Sequence, residues 1–307
     1  KWQYNSKWLS DAPICDWYGI ICNSNDDILQ IYLNGNNLQG TIPSEVGLLV
    51  DLQVLALEDN AISGSIPLEL GLLSNLQYLT LFRNSITGII PSEFGLLIKL
   101  ENLSLFDNML TGRVPSELGL LKDLVVFGLF FNSLSGSIPS ELGLLTNLEV
   151  IGMFRNSLTG NIPLELGLLT NLQYLNLDGS SLTGSIPSEL GYMINLEYLS
   201  LDSNLLTGSI PSEFGLLTNL EYLSLYDNSL TGSIPSELGI LTNLEAVGLF
   251  LNSLIGTMPD EICELRNASA SNLEKLWADC EEVECPCCTE CCVDGGGCSS
   301  TLNEINY

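Results

Sequence analysis

Apolar and polar residues alternate along this chain in a pattern that repeats every 24 residues. A clear copy is Asn219 to Thr242, NLEYLSLYDNSLTGSIPSELGILT, which follows the frame L-x-x-L-x-L-x-x-N-x-L-x-G-x-I-P. Ser180 occupies one asparagine position of the frame, and the other nine are Asn36, Asn60, Asn84, Asn108, Asn132, Asn156, Asn204, Asn228 and Asn252. A fixed period of this length, without insertions, predicts a solenoid of stacked units.

The leucines of one unit are too widely spaced to form a core alone, so they become buried only when neighbouring units stack. The alternation from Tyr222 to Tyr226 predicts a short strand with one buried face and one open face. The frame asparagine carries two donors and an acceptor, which can satisfy the turning backbone of the next unit. Gly232 suits a tight bend, and Pro235 is suited to begin a helical turn.

The segment CDWYGIIC, followed by N-x-L-x-G-x-I-P repeats, resembles the plant-type (LxGxIP) extracellular leucine-rich repeat family. That family includes receptor-kinase and receptor-like-protein ectodomains and the secreted polygalacturonase-inhibiting proteins. The resemblance covers roughly residues 8–259 and implies an α/β solenoid. The expected fold is a right-handed superhelix with a parallel concave β-sheet, short flank strands and 3-10 or helical convex turns. Family members bind peptides, proteins or glycans and are not enzymes.

Three regions follow from the pattern: an N-terminal cap at 1–28, ten 24-residue repeats at 29–258, and a Cys-rich C-terminal cap and tail at 259–307. Cys15 and Cys22 are predicted to form a disulfide rather than a metal pair, because further ligands are absent nearby and the chain has no His. The C-terminal region holds Cys263, Cys280, Cys285, Cys287, Cys288, Cys291, Cys292 and Cys298.

Disulfides are the favoured interpretation of these eight cysteines because a secreted context oxidises thiols, but the sequence leaves their pairing open. Zinc or an iron–sulfur cluster held by CPCCTECC is the alternative interpretation, disfavoured if the compartment is oxidising. This cap differs from the usual plant cap and resembles that of leucine-rich repeat surface proteins of diatoms and other algae.

The chain carries 9 Lys and Arg against 37 Asp and Glu, for a net charge of −28, which disfavours nucleic acid and anionic membranes as partners. The sequence contains no run of about 18 apolar residues, so no membrane span is predicted in it. The cysteine content predicts a mature secreted or cell-surface chain whose leader has been removed. Because the chain has no His, Ser-His and Cys-His nucleophile pairs are excluded. No catalytic residue, metal site or cofactor is predicted.

Strand periodicity predicts which side chains point outward on the concave face. Two rows of aromatic residues lie there, with a row of small residues between them that leaves a groove. Aromatic residues on a strand also stabilise a sheet through cross-strand pairing, which is the structural alternative. A contiguous exposed apolar patch more often marks an interaction surface. The predicted ligand-binding residues are Tyr78, Phe82, Arg83, Phe106, Phe130, Phe131, Phe154, Arg155, Tyr174, Tyr198, Tyr222, Tyr226 and Phe250.

Arg83 and Arg155 each precede a frame asparagine and flank the phenylalanines. Arginine beside aromatic rings is a common composition at binding hot spots, so an anionic ligand group is one interpretation. Asp107 lies between them in the same column, and an ion pair with one arginine is the other interpretation.

Two further patterns have mainly structural explanations, and a third consists of modification sites. A glutamate recurs in every P-x-E-L/F-G turn, where an acidic residue near a helix start is favourable. Ser and Thr form regular rows on one flank, which could match ordered water as in ice-binding solenoids, although the family consensus already tolerates them. Glycosylation sequons begin at Asn267 and Asn102.

The sequence thus predicts a secreted or cell-surface module that binds an extracellular protein, peptide or glycan on its concave face. Two alternatives stay open: a structural or adhesive component of an extracellular matrix or filament, formed by self-assembly, and an inhibitor of a secreted hydrolase.

Overall fold

The computed structural model describes residues 2–267, 272–280 and 282–292. Within these residues the chain forms an α/β solenoid in which each complete unit contributes a concave strand, a flank strand and a convex 3-10 helix. The predicted fold class is therefore confirmed. The predicted tail and Cys298 lie outside the described residues.

The concave sheet has thirteen strands in the described residues, rather than the ten expected, because both ends of the array add strands. β1 runs antiparallel to β2, and every other neighbour pair is parallel. The strands, in spatial order, are β1 (Ile20–Cys22), β2 (Ile28–Tyr32), β4 (Val54–Ala56), β6 (Tyr78–Thr80), β8 (Asn102–Ser104), β10 (Val126–Gly128), β12 (Val150–Gly152), β14 (Tyr174–Asn176), β16 (Tyr198–Ser200), β18 (Tyr222–Ser224), β20 (Ala246–Gly248), β23 (Lys275–Asp279) and β25 (Glu290–Cys292).

A second parallel sheet runs along one flank, and a two-stranded sheet of β22 (Gly256–Thr257) and β24 (Val283–Glu284) follows its C-terminal end. The strands of the flank sheet are β3 (Gln39–Gly40), β5 (Ala61–Ser65), β7 (Ser85–Gly88), β9 (Met109–Gly112), β11 (Ser133–Gly136), β13 (Ser157–Asn161), β15 (Ser181–Ser185), β17 (Leu205–Gly208), β19 (Ser229–Gly232) and β21 (Ser253–Leu254).

Short 3-10 helices cover the convex side, each preceded by the proline of the repeat, which cannot continue a strand. A Cβ on Gly143 would lie 2.3 Å from the carbonyl oxygen of Glu165, so glycine permits the close stacking of successive turns. One α-helix, α1 (Asp260–Asn267), follows the array. The 3-10 helices in the described residues are Ile14–Asp16, Ser44–Leu48, Leu68–Leu72, Ser92–Leu96, Ser116–Leu120, Ser140–Leu144, Leu164–Leu168, Ser188–Tyr192, Ser212–Leu216 and Ser236–Ile240.

The frame asparagines form an internal hydrogen-bond ladder. The Nδ2 of Asn132 donates to the carbonyl oxygens of Leu105, Leu129 and Phe130 at 3.1, 3.0 and 3.4 Å, and its Oδ1 accepts from the amide of Leu110 at 2.9 Å. One side chain therefore ties its own unit to the preceding one. The hydroxyl of Ser180 is too short for this role; it is buried and has no hydrogen-bond partner among the described residues.

Disulfides stabilise both ends of the array. Cys15 bonds to Cys22, and their Cα atoms lie 5.6 Å apart. At the C-terminal end Cys292 is also disulfide-bonded, and three further pairs are Cys263–Cys287, Cys280–Cys291 and Cys285–Cys288. No cluster of metal-ligating side chains occurs in the described ranges. No helix in the same ranges is long and apolar enough to cross a bilayer.

Candidate functional site: a polarised groove on the concave sheet

Four phenylalanines stack along the concave face because the parallel strands beneath them pair in register. The ring centroids of Phe82 and Phe106, Phe106 and Phe130, and Phe130 and Phe154 are 4.2, 4.1 and 4.4 Å apart. Their planes deviate from parallel by 11° at most. All four rings are half-buried, so each buries one part against its neighbours and offers the remainder to solvent. We call these four residues the Phe stack.

Three tyrosines continue the aromatic surface along the next strands. The rings of Tyr174 and Tyr198 are 4.4 Å apart, and those of Tyr198 and Tyr222 are 4.5 Å apart. Tyr226 lies beyond the small residues of β18 and stacks on Phe250 at 4.6 Å. The three stacked tyrosines and Tyr226 form the walls of the C-terminal part of the groove.

The prediction that Phe250 lies open on the concave face is wrong. Its side chain is only 5% exposed and packs with Ala246, Trp277 and Cys292 in a small satellite core. The cause is β23, which pairs with β20 and brings Trp277 beside it. The sequence pattern gave the direction of Phe250 correctly, but the additional strand that covers it has no counterpart in the repeat.

Arg83 and Arg155, which both precede a frame asparagine, have different environments. The guanidinium of Arg83 lies 3.6 Å from Asp59 and 3.9 Å from Asp107, which is the ion-pair alternative of the sequence analysis. The guanidinium of Arg155 lies 5.2 Å from the centroid of the Phe131 ring and forms no ion pair among the described residues. Arg155 is therefore the better placed of the two for contact with an anionic group.

These side chains surround a concavity of about 520 Å³. The concavity brings together most of the predicted ligand-binding residues. It also includes polar residues, among them Asp178 and Asp202, that the prediction did not contain. The lining residues are Arg83, Phe106, Phe130, Phe131, Phe154, Arg155, Tyr174, Asn176, Asp178, Gly179, Tyr198, Ser200, Asp202, Ser203, Tyr222 and Tyr226.

The polar residues at one end, Asp178 and Asp202, were missed as site residues by the sequence analysis. Both stand in the column of the Phe stack, on adjacent units, and that adjacency was the signal that could have identified them. Asp202 accepts a short hydrogen bond from the hydroxyl of Ser200, and the Asp178 amide donates to the Asn176 side chain at 3.0 Å. Asp202 is 5% exposed, which is unusual for a carboxylate.

Burial and the neighbouring Asp202 carboxylate raise the pKa of Asp178 from 3.8 to about 6, while the Asn176 amide and the Arg155 guanidinium oppose the shift. Burial and nearby charges, Asp202 included, also raise the pKa of the Tyr222 and Tyr226 phenols, so both stay neutral and can act as donors. This end of the groove is thus acidic and partly dry.

The remaining predicted residues lie outside the concavity. Phe82 belongs to the Phe stack but not to the concavity lining. Tyr78 donates to Glu101 at 2.7 Å, and this contact raises the pKa of its phenol. Asn102 lies in β8 and accepts from the hydroxyl of Ser104 at 2.7 Å. Asn267 ends α1, and its side chain lies outside the described residues.

Stacked 24-residue units with a concave parallel sheet and convex 3-10 turns define a leucine-rich-repeat solenoid, and the chain belongs to that family. The Leucine Rich Repeat profile matches residues 75–97, 99–121, 171–193, 195–217 and 219–241. A probable leucine-rich repeat receptor-like protein kinase of Arabidopsis thaliana is 39% identical over 59 residues, which are 19% of this chain and 6% of that protein.

Solved structures extend the similarity over most of the array. The ectodomain of the Arabidopsis receptor kinase HAESA, in complex with an N-terminally extended IDA peptide hormone ligand, aligns with a TM-score of 0.77 at 35% identity. The alignment covers 91% of this chain and 46% of that one. A plant ice-binding protein aligns with a TM-score of 0.69 at 30% identity over 82% of both chains. The chain thus spans less than half of the receptor ectodomain but most of the ice-binding protein.

Proposed function

We propose that this protein is an extracellular recognition module that binds a peptide or a segment of a protein on its concave face. The observation that carries the proposal is the Phe stack, a run of half-buried parallel rings, three of which line a concavity beside the Arg155 guanidinium. Stacked rings offer a large apolar area at low entropic cost, because aromatic side chains have few rotatable bonds. Exposed apolar patches of this kind usually mark interaction surfaces.

The relatives support this interpretation. The HAESA ectodomain was solved with a peptide hormone ligand, and it aligns over nearly the whole of this array. An extracellular or cell-surface location fits receptor relatives of this class and the disulfides at both ends of the chain. No catalytic step is proposed, because the groove offers binding surfaces rather than an activated nucleophile.

The test is capture of partners from the extracellular fraction of the source by the immobilised protein, with chemical cross-linking. The double substitution Phe106→Ser and Phe130→Ser is expected to abolish capture while circular dichroism stays unchanged. The matched control is Tyr192→Ser, which removes an exposed aromatic residue from the convex side. Capture that survives in the double variant, or is lost equally in the control, would overturn the proposal.

A second candidate function is ice binding, which the similarity to the plant ice-binding protein over 82% of both chains favours. The flank sheet presents rows of exposed threonines whose hydroxyls donate to glycine carbonyls of the preceding unit, as Thr87, Thr111 and Thr231 do at 3.2, 3.2 and 3.4 Å. These bonds fix the side chains in a regular array on a parallel sheet, which is the geometry that ordered water would need.

Thermal hysteresis of the purified protein tests this second candidate. If the flank sheet binds ice, Thr159→Lys with Thr207→Lys should remove the hysteresis, and Thr146→Lys on the convex side should preserve it. An unmodified protein without hysteresis would refute it and leave the recognition proposal intact.

Two predictions from the sequence stay predictions. A matrix or filament component would show end-to-end or lateral assemblies in negative-stain images of native material. Leu72, Leu96, Leu120 and Leu144 each expose an apolar side chain on a convex turn, where lateral assemblies could bury them. An inhibitor of a secreted hydrolase would be recovered in a pull-down against secreted wall-degrading enzymes.

A further inference from the structure

We propose that the C-terminal end of the groove is a subsite for a positively charged side chain, a lysine or arginine of the bound peptide. This inference rests on the proposed function and deepens it by assigning a chemical class to the ligand. The subsite consists of Asp178 and Asp202 with the tyrosine walls around them. The ligand is therefore a peptide in which an apolar or aromatic residue lies near a basic one.

The first argument is that the two carboxylates have no direct ion pair in the described residues. Asp178 and Asp202 lie on adjacent units whose backbones are tied by the hydrogen bond from the Gly179 amide to the Asp202 carbonyl at 3.1 Å. None of the salt bridges among the described residues involves either carboxylate. Two neighbouring carboxylates in a partly dry site repel each other, and an incoming cation would relieve that repulsion.

The second argument is hydrogen-bonding capacity at the floor of the subsite. Asp202 interacts with the Ser200 hydroxyl and the Tyr226 phenol, and Asp178 interacts with the Asn176 side chain and the charge of Arg155. A carboxylate has about four lone-pair sites, so both groups keep acceptor capacity for a ligand. The floor thus retains polar groups able to bind ammonium or guanidinium protons.

The third argument is the aromatic wall. Tyr174, Tyr198 and Tyr222 stack in one row of the lining, and Tyr226 lies in the column of the two carboxylates and hydrogen-bonds Asp202. A cation near tyrosine faces gains a cation–π attraction that strengthens when water is excluded. Arg155 lies near both the Phe stack and the subsite, because its guanidinium is 5.2 Å from the centroid of the Phe131 ring and its charge opposes the rise in the pKa of Asp178.

The fourth argument is access. The position before the frame asparagine carries a side chain in most units, for example Asp107, Phe131 and Asp227, but glycine in the unit of Asp178. A Cβ on Gly179 would lie 3.3 Å from the Cγ of Arg155. The missing side chain therefore leaves the rim open directly beside the two carboxylates and gives Arg155 room to lie there.

The experiment is selection of a random library of linear 12-residue peptides, displayed on phage, against the immobilised wild-type chain at about 0.15 M salt, where exposed charges are screened. Selected peptides should be enriched in Lys or Arg near an apolar residue. The substitution pair Asp178→Asn with Asp202→Asn should weaken their binding at least about tenfold, as expected for loss of a charged hydrogen bond. Acetylating the lysine of a selected peptide should weaken binding of the wild type to the same extent.

The control pair Asp123→Asn with Asp227→Asn removes the same charge from exposed positions outside the concavity. Equal loss in this control, or no effect of acetylation, would show that the acidic surface as a whole attracts basic peptides and would overturn the subsite. Selected peptides without basic residues would overturn it as well. Peptides whose binding ignores Phe106→Ser with Phe130→Ser would instead refute the proposed function, so the two failures are distinguishable.

Discussion

The two halves of the concave groove share one backbone and differ in almost everything they present to solvent. The N-terminal half carries the Phe stack, with half-buried apolar rings and Arg155 at its edge. The C-terminal half carries stacked tyrosines around Asp178 and the buried Asp202. The strands beneath both halves pair in the same parallel register.

The comparison teaches that in a solenoid the outward residues vary freely while the inward ones do not. The inward leucines of both halves are fully buried in one continuous core, so their spacing must be kept from unit to unit. The outward residues contribute less to that core and can therefore encode a surface. The unit of Asp178 departs from the repeat at Ser180, and it lies where the two halves meet.

The largest expected effect is on the free energy of unfolding, and it should be greater for Phe250 than for a residue of the Phe stack. Phe250→Ala should destabilise the fold by about 3–5 kcal/mol, because its ring is buried and the substitution leaves a cavity. Phe106→Ala should cost only about 1–3 kcal/mol, since it removes two stacking contacts of a half-buried ring. Urea denaturation with intact disulfides measures both. Similar costs would mean that the Phe stack is core rather than surface.

Next in size is the asparagine ladder, which is intact in the N-terminal half and interrupted at Ser180. Asn132→Ser should cost about 2–4 kcal/mol, because it removes bonds to buried backbone groups. The converse change, Ser180→Asn, should stabilise the chain by about 1–2 kcal/mol by restoring them. The free energies of unfolding of both variants provide the check. A destabilising Ser180→Asn would show that this unit packs differently from the others.

The third prediction concerns the acidic half and depends on pH. The folded-state pKa of Asp178 is about 6 against 3.8 for the ordinary carboxyl, so folding favours its protonated form. Its stabilising contribution is complete below about pH 4 and is lost as the pH rises through about 6. Asp178→Asn should therefore stabilise the chain at pH 8 by up to about 3 kcal/mol, two pKa units at about 1.4 kcal/mol each.

Urea denaturation of this variant and of the wild type at pH 4, 6 and 8 tests the third prediction. The difference in unfolding free energy should shrink toward zero at pH 4. Asp227→Asn is the matched control, because it removes one carboxylate from an exposed position outside the concavity. A gain that persists unchanged at pH 4 would contradict the role of the ionised carboxylate.

The smallest effects on stability and binding should come from substitutions of Arg83 and Arg155. The side chain of Arg83 is 56% exposed, and its contacts to Asp59 and Asp107 are long. Exposed ion pairs contribute at most about 1 kcal/mol, so Arg83→Gln should barely change stability. Arg155→Gln should weaken capture of an anionic or apolar partner more than Arg83→Gln does, as measured by the cross-linking assay. Equal effects on capture would remove the distinction drawn between the two arginines.

Much of this protein is determined by the sequence alone. The 24-residue period fixes the solenoid, because leucines at that spacing find burial only against a neighbouring unit. Strand alternation places the Phe stack and the tyrosines on one face, since successive side chains of a strand point to opposite sides. The recurring asparagine predicts the internal hydrogen-bond ladder, because the backbone groups of each turn need hydrogen-bond partners.

The tertiary structure decided what repetition cannot express. Periodicity places Phe250 outward, but the non-repeating β23 covers it with Trp277, a contact between segments that no spacing rule connects. Periodicity also places Asp178 and Asp202 on the concave face. It does not indicate that Asp202 is buried, or that the two aspartates share a concavity with four tyrosines. Burial and the neighbouring Asp202 carboxylate raise the pKa of Asp178, and both causes depend on three-dimensional distances that the order of residues does not contain.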